Sequence, residues 1–303
     1  MEKITKAVIP VAGLGTRLLP VTKSQPKEML PLGRKPCVQW IVEEIARAGI
    51  TDILFITGAN KRSIEDHFDI DQELRNKLQS AGKDNLLEAL KIDDMNIDFY
   101  YTRQKVQAGL GDAVNYADGF VRDEPFVVAL GDAVIVSQNH TPPLMERMLN
   151  IYNEKKPAFV VAVREVDKED VSKYGIVDIE EDNDCNGNEE LFVNDLIEKP
   201  AIHEAPSNYA IAARYIFAPD IFEFLDKTLP GTGGEIQLTD AMQMMLKHDY
   251  KAYAVPLNKN EKRHDIGTFD SYFKSFIDFA LKDKEYGYRV RQYLELLNNE
   301  DKI

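Results

Sequence analysis

The sequence predicts an α/β fold, a mixed and mostly parallel sheet flanked by helices. Three observations predict it: short apolar runs alternate with amphipathic stretches through the first half; a glycine-rich loop follows the first run; and Leu130-Gly131-Asp132 closes another. Such alternation implies βαβ units, whose crossovers are right-handed and whose strands are parallel.

Taken in order, residues 4–11 hold Ala7-Val8-Ile9-Pro10-Val11, an unbroken apolar run that reads as a buried strand. From Pro36 a helix is expected, because Val38, Ile41, Val42, Ile45 and Ala48 recur at three- and four-residue spacing. Pro36 suits its first turn and Gly49 its C-terminal cap. Ile53-Leu54-Phe55-Ile56 is the next buried strand, and a polar helix then carries Ile64 and Phe68. Residues 97–102 read as a third strand, 110–117 as a helix and 126–130 as a fourth strand. The second half is less regular. Residues 158–166 alternate as a long strand, and 174–179, 191–197 and 208–217 read as antiparallel or mixed strands. Helices are expected from about Pro219, from about Glu235, and twice after Thr268.

The composition excludes several function classes. Hydrophobic residues make up 44% and charged residues 29%, ordinary for a globular protein, and 303 residues can bury one large core or two modest ones. The formal net charge is -14, so the surface repels nucleic acid and anionic membrane at long range. Cations that bind phosphate must therefore be few and placed. Cys37 and Cys185 stand far apart in no CxxC pattern, which speaks against a disulfide framework or zinc site. There is no cationic leader before an apolar stretch and no apolar run long enough to span a membrane, so the cytoplasm is the expected location.

The strongest local signal follows the first strand: Gly13-Leu14-Gly15-Thr16-Arg17-Leu18-Leu19-Pro20. Glycines there let backbone amides approach an anion closely and form a concave nest. A dinucleotide fingerprint needs a third glycine, where Leu18 stands, and a helix starting at the loop, where Pro20 intervenes. This disfavours an NAD-dependent oxidoreductase. The loop is also too short for a Walker A motif and no Gly-Lys-Ser/Thr occurs. Asp182, Asp184, Asn186 and Gly187 match the opening of an EF-hand loop, but its twelfth position is Val193 where a Glu is required. That acidic segment reads as a solvated hairpin loop.

Joined to Pro26-Lys27-Glu28-Met29-Leu30-Pro31, the glycine loop resembles the signature of the bacterial UTP–glucose-1-phosphate uridylyltransferases, within the sugar-nucleotide pyrophosphorylases. A triphosphate needs amides plus fixed cations, and Arg17 and Lys27 would supply the cations beside Ala12, Gly13 and Gly15. Further segments match in family order. Arg103-Gln104 with Ala108-Gly109-Leu110-Gly111 resembles the base-reading segment, where Gln104 and the backbone near Gly109 would meet the pyrimidine edge. The family usually carries His after that Gly-Leu-Gly, whereas this chain has Asp112. Asp132 and the Asp265 of Arg263-His264-Asp265-Ile266-Gly267 match the carboxylates that hold Mg2+, and His264 is expected to be a packed or solvent-facing neighbour. Gly175 and Glu198-Lys199-Pro200 resemble the sugar-phosphate half: Gly175 admits the hexose, Glu198 accepts from its hydroxyls, and Lys199 neutralises its phosphate. The segment from Gly233 to Ala241 resembles one that shapes the sugar pocket.

The resemblance covers nearly the whole chain. It implies a Rossmann-like sheet of the nucleotide-diphospho-sugar transferase type with a small β-rich sugar-binding part and a helical tail. It further implies one domain over residues 1–267, nucleotide-binding to about residue 135 and sugar-phosphate-binding beyond, and a tail over 268–303. The tail's Tyr272, Phe273, Phe276, Ile277 and Phe279 would either support a homo-dimer or homo-tetramer or pack on the chain's own core. The implied reaction is uridylyl transfer from UTP to glucose 1-phosphate by in-line displacement. Catalysis would rest on Arg17, Lys27 and Lys199, with no general base because a phosphate dianion is already a nucleophile. The alternatives are the same chemistry with dTTP, galactose 1-phosphate or N-acetylglucosamine 1-phosphate, or a non-catalytic sugar-nucleotide sensor.

Overall fold

A computed structural model describes residues 3–137, 142–181 and 191–300. The strands are, in chain order, β1 (Lys6–Pro10), β2 (Pro31–Leu32), β3 (Lys35–Pro36), β4 (Asp52–Thr57), β5 (Asp98–Arg103), β6 (Phe126–Ala129), β7 (Ala133–Ser137), β8 (Phe159–Glu165), β9 (Gly175–Glu181), β10 (Leu191–Glu198), β11 (Tyr209–Phe217), β12 (Ala252–Pro256) and β13 (Glu261–Asp265), and β-branched and aromatic residues dominate several of the longer ones of the main sheet. Nine of them form one sheet in the order β5-β4-β1-β6-β11-β8-β12-β10-β9. The β5-β4-β1-β6 half is parallel throughout. From β6 onward the sheet is mixed: β11 runs antiparallel to β6 and β8, β12 parallel to β8, and β10 antiparallel to both β12 and β9. The expected α/β class, parallel in its first half and mixed in its second, is the one found.

Both faces of the sheet are covered, which explains why the parallel strands are unbroken apolar runs. Ala7 and Ile9 of β1 face a layer built with the helices Cys37–Arg47 and Leu144–Lys155. Val8 faces the opposite layer, with the helices Leu110–Asn115, Ile221–Lys227 and Leu238–Lys247. In the tail helix Phe269–Lys282, Tyr272 and Phe279 pack against the first layer, while Phe273 is 56% and Ile277 45% exposed. The tail's apolar residues thus divide between the chain's own core and solvent.

Boundaries differ from the sequence reading where local chemistry decides them. Pro36 caps the helix from outside, since its ψ of 148° is extended and the helix proper begins at Cys37. The helix expected over 110–117 stops at Asn115, and a separate turn covers Asp118–Val121. Strands β7, β12 and β13 and the helices Leu144–Lys155, Gln72–Ser80 and Asp84–Ala89 were not anticipated. The acidic segment 182–190, with its EF-hand-like opening and Cys185, lies outside the described residues.

One irregularity sits beside the end of β6. The register of β11 shifts between Ile211 and Tyr215, and Ala213 takes a left-handed φ of 66°. Its carbonyl accepts the amide of Leu130 at 3.1 Å, so the bulge holds the segment that leads to Asp132. The next residue, Arg214, is fully buried and grips Glu44 with two hydrogen bonds of 3.1 and 2.7 Å. Removing one partner of such a pair strands a charge in the core, whereas removing both with apolar replacements does not. Glu44→Ala is expected to lower unfolding stability by about 3 kcal/mol in urea titration. Combining Glu44→Leu with Arg214→Met should restore most of it.

Candidate active site

The site forms where β1 and β6, parallel neighbours, end on the same side of the sheet. β1 runs into the glycine loop, and the chain then folds into short turns at Thr16–Leu18, Val21–Lys23 and Lys27–Met29 in place of a long helix. Gly15 takes the left-handed conformation, φ 66°, that opens the first turn, and its carbonyl accepts the Thr22 hydroxyl at 2.8 Å. The missing third glycine and Pro20 thus have their expected consequence. β6 ends at Ala129, and Asp132 follows two residues beyond Leu130.

Lys27 and Asp132 meet at 2.5 Å, both side chains mostly buried. Burial disfavours the Lys27 ammonium, yet the carboxylates of Asp132, Glu28 and Asp265 outweigh it and hold its pKa above the ordinary lysine value. Burial likewise disfavours the Asp132 carboxylate, and Lys27, with help from Arg263, overcomes it and lowers its pKa. Both partners are therefore held charged. Behind them Glu28 is buried against Lys61 at 2.8 Å; burial raises its pKa even against the two lysines.

The second carboxylate arrives on an unexpected element. β13 reads Glu-Lys-Arg-His-Asp and pairs antiparallel with β7, Asp265 opposite Ala133. The Ile266 amide donates to the Asp132 carbonyl at 3.2 Å, which sets the two aspartates side by side along the backbone. Asp265 Oδ1 accepts from Arg263 at 3.0 Å and Oδ2 from the Gly267 amide at 3.0 Å. His264 points the other way: it is 3% exposed and lies edge-on to Phe279, and burial with Lys262 lowers its pKa to about 4. It is a packed neutral histidine, as expected.

The segment expected to read the base is locked by backbone. Gly109 has φ 113°, and a Cβ there would lie 2.4 Å from the Ile236 carbonyl oxygen, so no side chain fits. The Ile236 amide donates to Ala108 at 2.7 Å and the Gly111 amide to Ile236 at 2.9 Å. On the far wall Gly175 stands opposite Glu198 in the β9–β10 register. Glu198 is held by the Thr239 hydroxyl at 2.7 Å and by Lys199 at 2.9 Å. Lys199 itself has a left-handed φ of 46° and a half-exposed side chain.

These parts enclose a cleft of about 650 Å3. Ala12, Gly13, Gly15, Arg17, Lys27, Gln104, Gly109, Asp132, Glu198 and Lys199 all line it. Gly175 and Asp265 stand just behind the lining: a Cβ on Gly175 would crowd Glu198, and one on Gly267 would crowd both Asp265 and Arg17. Several lining residues carried no role in the sequence reading. Gln107 donates to the Ala12 carbonyl at 2.6 Å and steadies the glycine loop, and Glu235 and Gln237 close the opposite side. Nothing in spacing alone singles out Gln107; Glu235 and Gln237 fall in the segment read as shaping the sugar pocket.

The donor set fits a magnesium-type ion. Asp132 lines the cleft and Asp265 stands just behind it, and among the described residues no group of three or more His, Cys, Asp or Glu forms a site by itself. Mg2+ commonly takes one or two carboxylates and completes its shell with water and substrate phosphates. Cys37 is buried with its thiol pKa pushed well up by burial, so it supplies no nucleophile.

The family described as nucleotidyl transferase matches residues 6–280. A UTP–glucose-1-phosphate uridylyltransferase of Staphylococcus saprophyticus is 44% identical over 297 residues, 98% of this chain and 99% of that one. A solved UDP-glucose pyrophosphorylase complexed with UDP-glucose superposes with a TM-score of 0.80 at 38% identity, covering 92% of this chain and 100% of that one. The UTP-bound UGPase from Acinetobacter baumannii does so with a TM-score of 0.84 at 33% identity, covering 96% and 98%. With the glycine loop, Arg17, Lys27, Lys199 and Asp132 lining one cleft and Asp265 just behind it, this chain belongs to the nucleotidyl transferase family.

Proposed function

We propose that the chain transfers a uridylyl group from UTP to glucose 1-phosphate, releasing pyrophosphate and forming UDP-glucose. The observation that carries this reading is the meeting of the glycine loop, Arg17, Lys27, Asp132, Glu198 and Lys199 in one cleft, with Asp265 at its back. The near full-length relatives act on this substrate pair by name.

The glycine loop and Arg17 receive the triphosphate, and Lys27 neutralises it. Gln104 and the Gly109 backbone take the base. Glu198 accepts from the hexose hydroxyls beside Gly175, and Lys199 orients the sugar phosphate. A phosphate oxygen of the sugar 1-phosphate attacks the α-phosphorus, a new P–O bond forms, and the bond to the β-phosphate bridge breaks. Pyrophosphate takes the electron pair. No side chain need accept a proton, which suits a site of cations and amides. Asp132 and Asp265 would hold Mg2+, which when bound supplies charge neutralisation to the phosphate oxygens.

The same reading divides the chain into a nucleotide half over about 1–135, a sugar-phosphate half to residue 267 and a tail over 268–303. Exposed Phe273, Phe276 and Ile277 support self-association through that tail into a dimer or tetramer. Among the described residues no helix is long and apolar enough to cross a membrane, and a cytoplasmic location is part of the proposal.

Purified protein incubated with Mg2+, UTP and glucose 1-phosphate should release pyrophosphate faster than with dTTP, galactose 1-phosphate or N-acetylglucosamine 1-phosphate. No release from any pair by folded protein would sink the enzyme reading and leave a sensor. Lys27→Ala should lower kcat by about 10^3 while circular dichroism stays native; wild-type turnover would remove Lys27 from the machinery. Lys199→Ala should raise KM for glucose 1-phosphate about tenfold and leave KM for UTP within twofold.

A further inference from the structure

Gln104 is only 5% exposed, and its amide nitrogen makes two hydrogen bonds: 2.6 Å to Asp112 Oδ2 and 3.2 Å to the Gly109 carbonyl. Both partners are acceptors, so the amide cannot be turned end for end without setting its oxygen against two oxygens. Asp112 lies in the first turn of the helix Leu110–Asn115, and the Gly109 carbonyl is fixed where the segment crosses Ile236. The amide is therefore clamped at two points of one helix start, the N-cap Gly109 and Asp112 in the first turn. With both hydrogens used, Gln104 has its carbonyl oxygen left to offer a ligand, and that oxygen has no protein donor among the described residues. Gln104 lines the cleft where the base is placed.

We infer that Asp112 is a positioning residue: it fixes the Gln104 amide so that the base edge meets an acceptor alone, and the site selects a pyrimidine whose ring N3 carries hydrogen. Uracil and thymine have that N3–H and donate it to Gln104. Cytosine presents a lone pair at N3, which leaves two acceptors facing each other in a desolvated position. Such a mismatch is among the more discriminating errors a buried polar site can reject. Choice between uracil and thymine lies outside this contact, because both carry the same N3–H. The inference rests on the nucleotide placement proposed above, since it assigns the base to Gln104.

Calorimetric binding with Mg2+ tests it without requiring turnover. UTP, dTTP and CTP are titrated into the wild type, Asp112→Ala, Asp112→Asn and Gln104→Ala. The wild type should bind UTP at least about 100-fold more tightly than CTP. In Asp112→Ala the amide keeps only the longer bond to Gly109 and turns more readily, so that ratio should fall about tenfold while the UTP to dTTP ratio holds within twofold. Asp112→Asn keeps an oxygen that accepts the same bond and should retain most of the wild-type ratio, which also guards against a fold defect in the alanine variant. A UTP to CTP ratio within twofold of wild type in Asp112→Ala overturns the inference, as does equal loss of both nucleotides. If Gln104→Ala leaves the ratio unchanged, the placement of the base at Gln104 fails instead. Lack of pyrophosphate release alongside selective UTP binding would overturn the proposed activity and leave the Asp112 inference standing.

Discussion

The contact between Lys27 and Asp132 is the constraint on which the site depends. The two residues are 105 apart in sequence, yet their side chains meet at 2.5 Å. Burial works against each charge, and the pair survives because each supplies what the other lost on leaving water. Only a sheet that sets β1 beside β6 in parallel brings these two loops to one edge. The pair in turn fixes the turn Lys27–Met29, whose Glu28 reaches the opposite way to Lys61. The turn proposed to meet the triphosphate is thereby held by ion pairs on both sides.

What the sequence could disclose follows from where the information is local. Buried parallel strands write themselves as apolar runs, and each of the four predicted in the first half is present within two residues. The glycine loop, Lys27, Gln104, Gly109, Asp132, Glu198 and Lys199 were legible as motifs, and all line one cleft. Strand β13 was not legible. Glu-Lys-Arg-His-Asp has no apolar period, and it is a strand because β7 offers a free edge. Its residues are polar for the reason that matters to the site: Arg263 and Asp265 turn to the cleft side, while His264 packs on Phe279. Asp265 was found by motif, but the element that delivers it was not.

Gln107 and Asp112 show a second kind of blindness. Their importance lies in a bond to one atom far away or at an awkward spacing: Gln107 to the Ala12 carbonyl, Asp112 to the Gln104 amide. Neither contact leaves a period or a composition behind it. The departure from His to Asp at position 112 could be noticed in the sequence, but its meaning depends on which end of a neighbouring amide it holds.

The overall charge and the site charge pull in opposite directions, and the structure resolves this by pairing. A chain of net charge -14 should repel a triphosphate. Screening at physiological salt has a length of about 8 Å, so the distant carboxylates that make up most of that excess are weak at the cleft. In the cleft and just behind it, Lys27 is matched by Asp132, Arg263 by Asp265 and Lys199 by Glu198, all at 3.0 Å or less. Arg17 makes no ion pair among the described residues and stands exposed in the cleft wall beside Gly267. The site is therefore close to neutral as a whole yet sharply ordered in sign from one atom to the next. In the proposed reaction, recognition of phosphate would come from the direction of individual charges and amides at contact distance, which a bulk count of acids and bases cannot register.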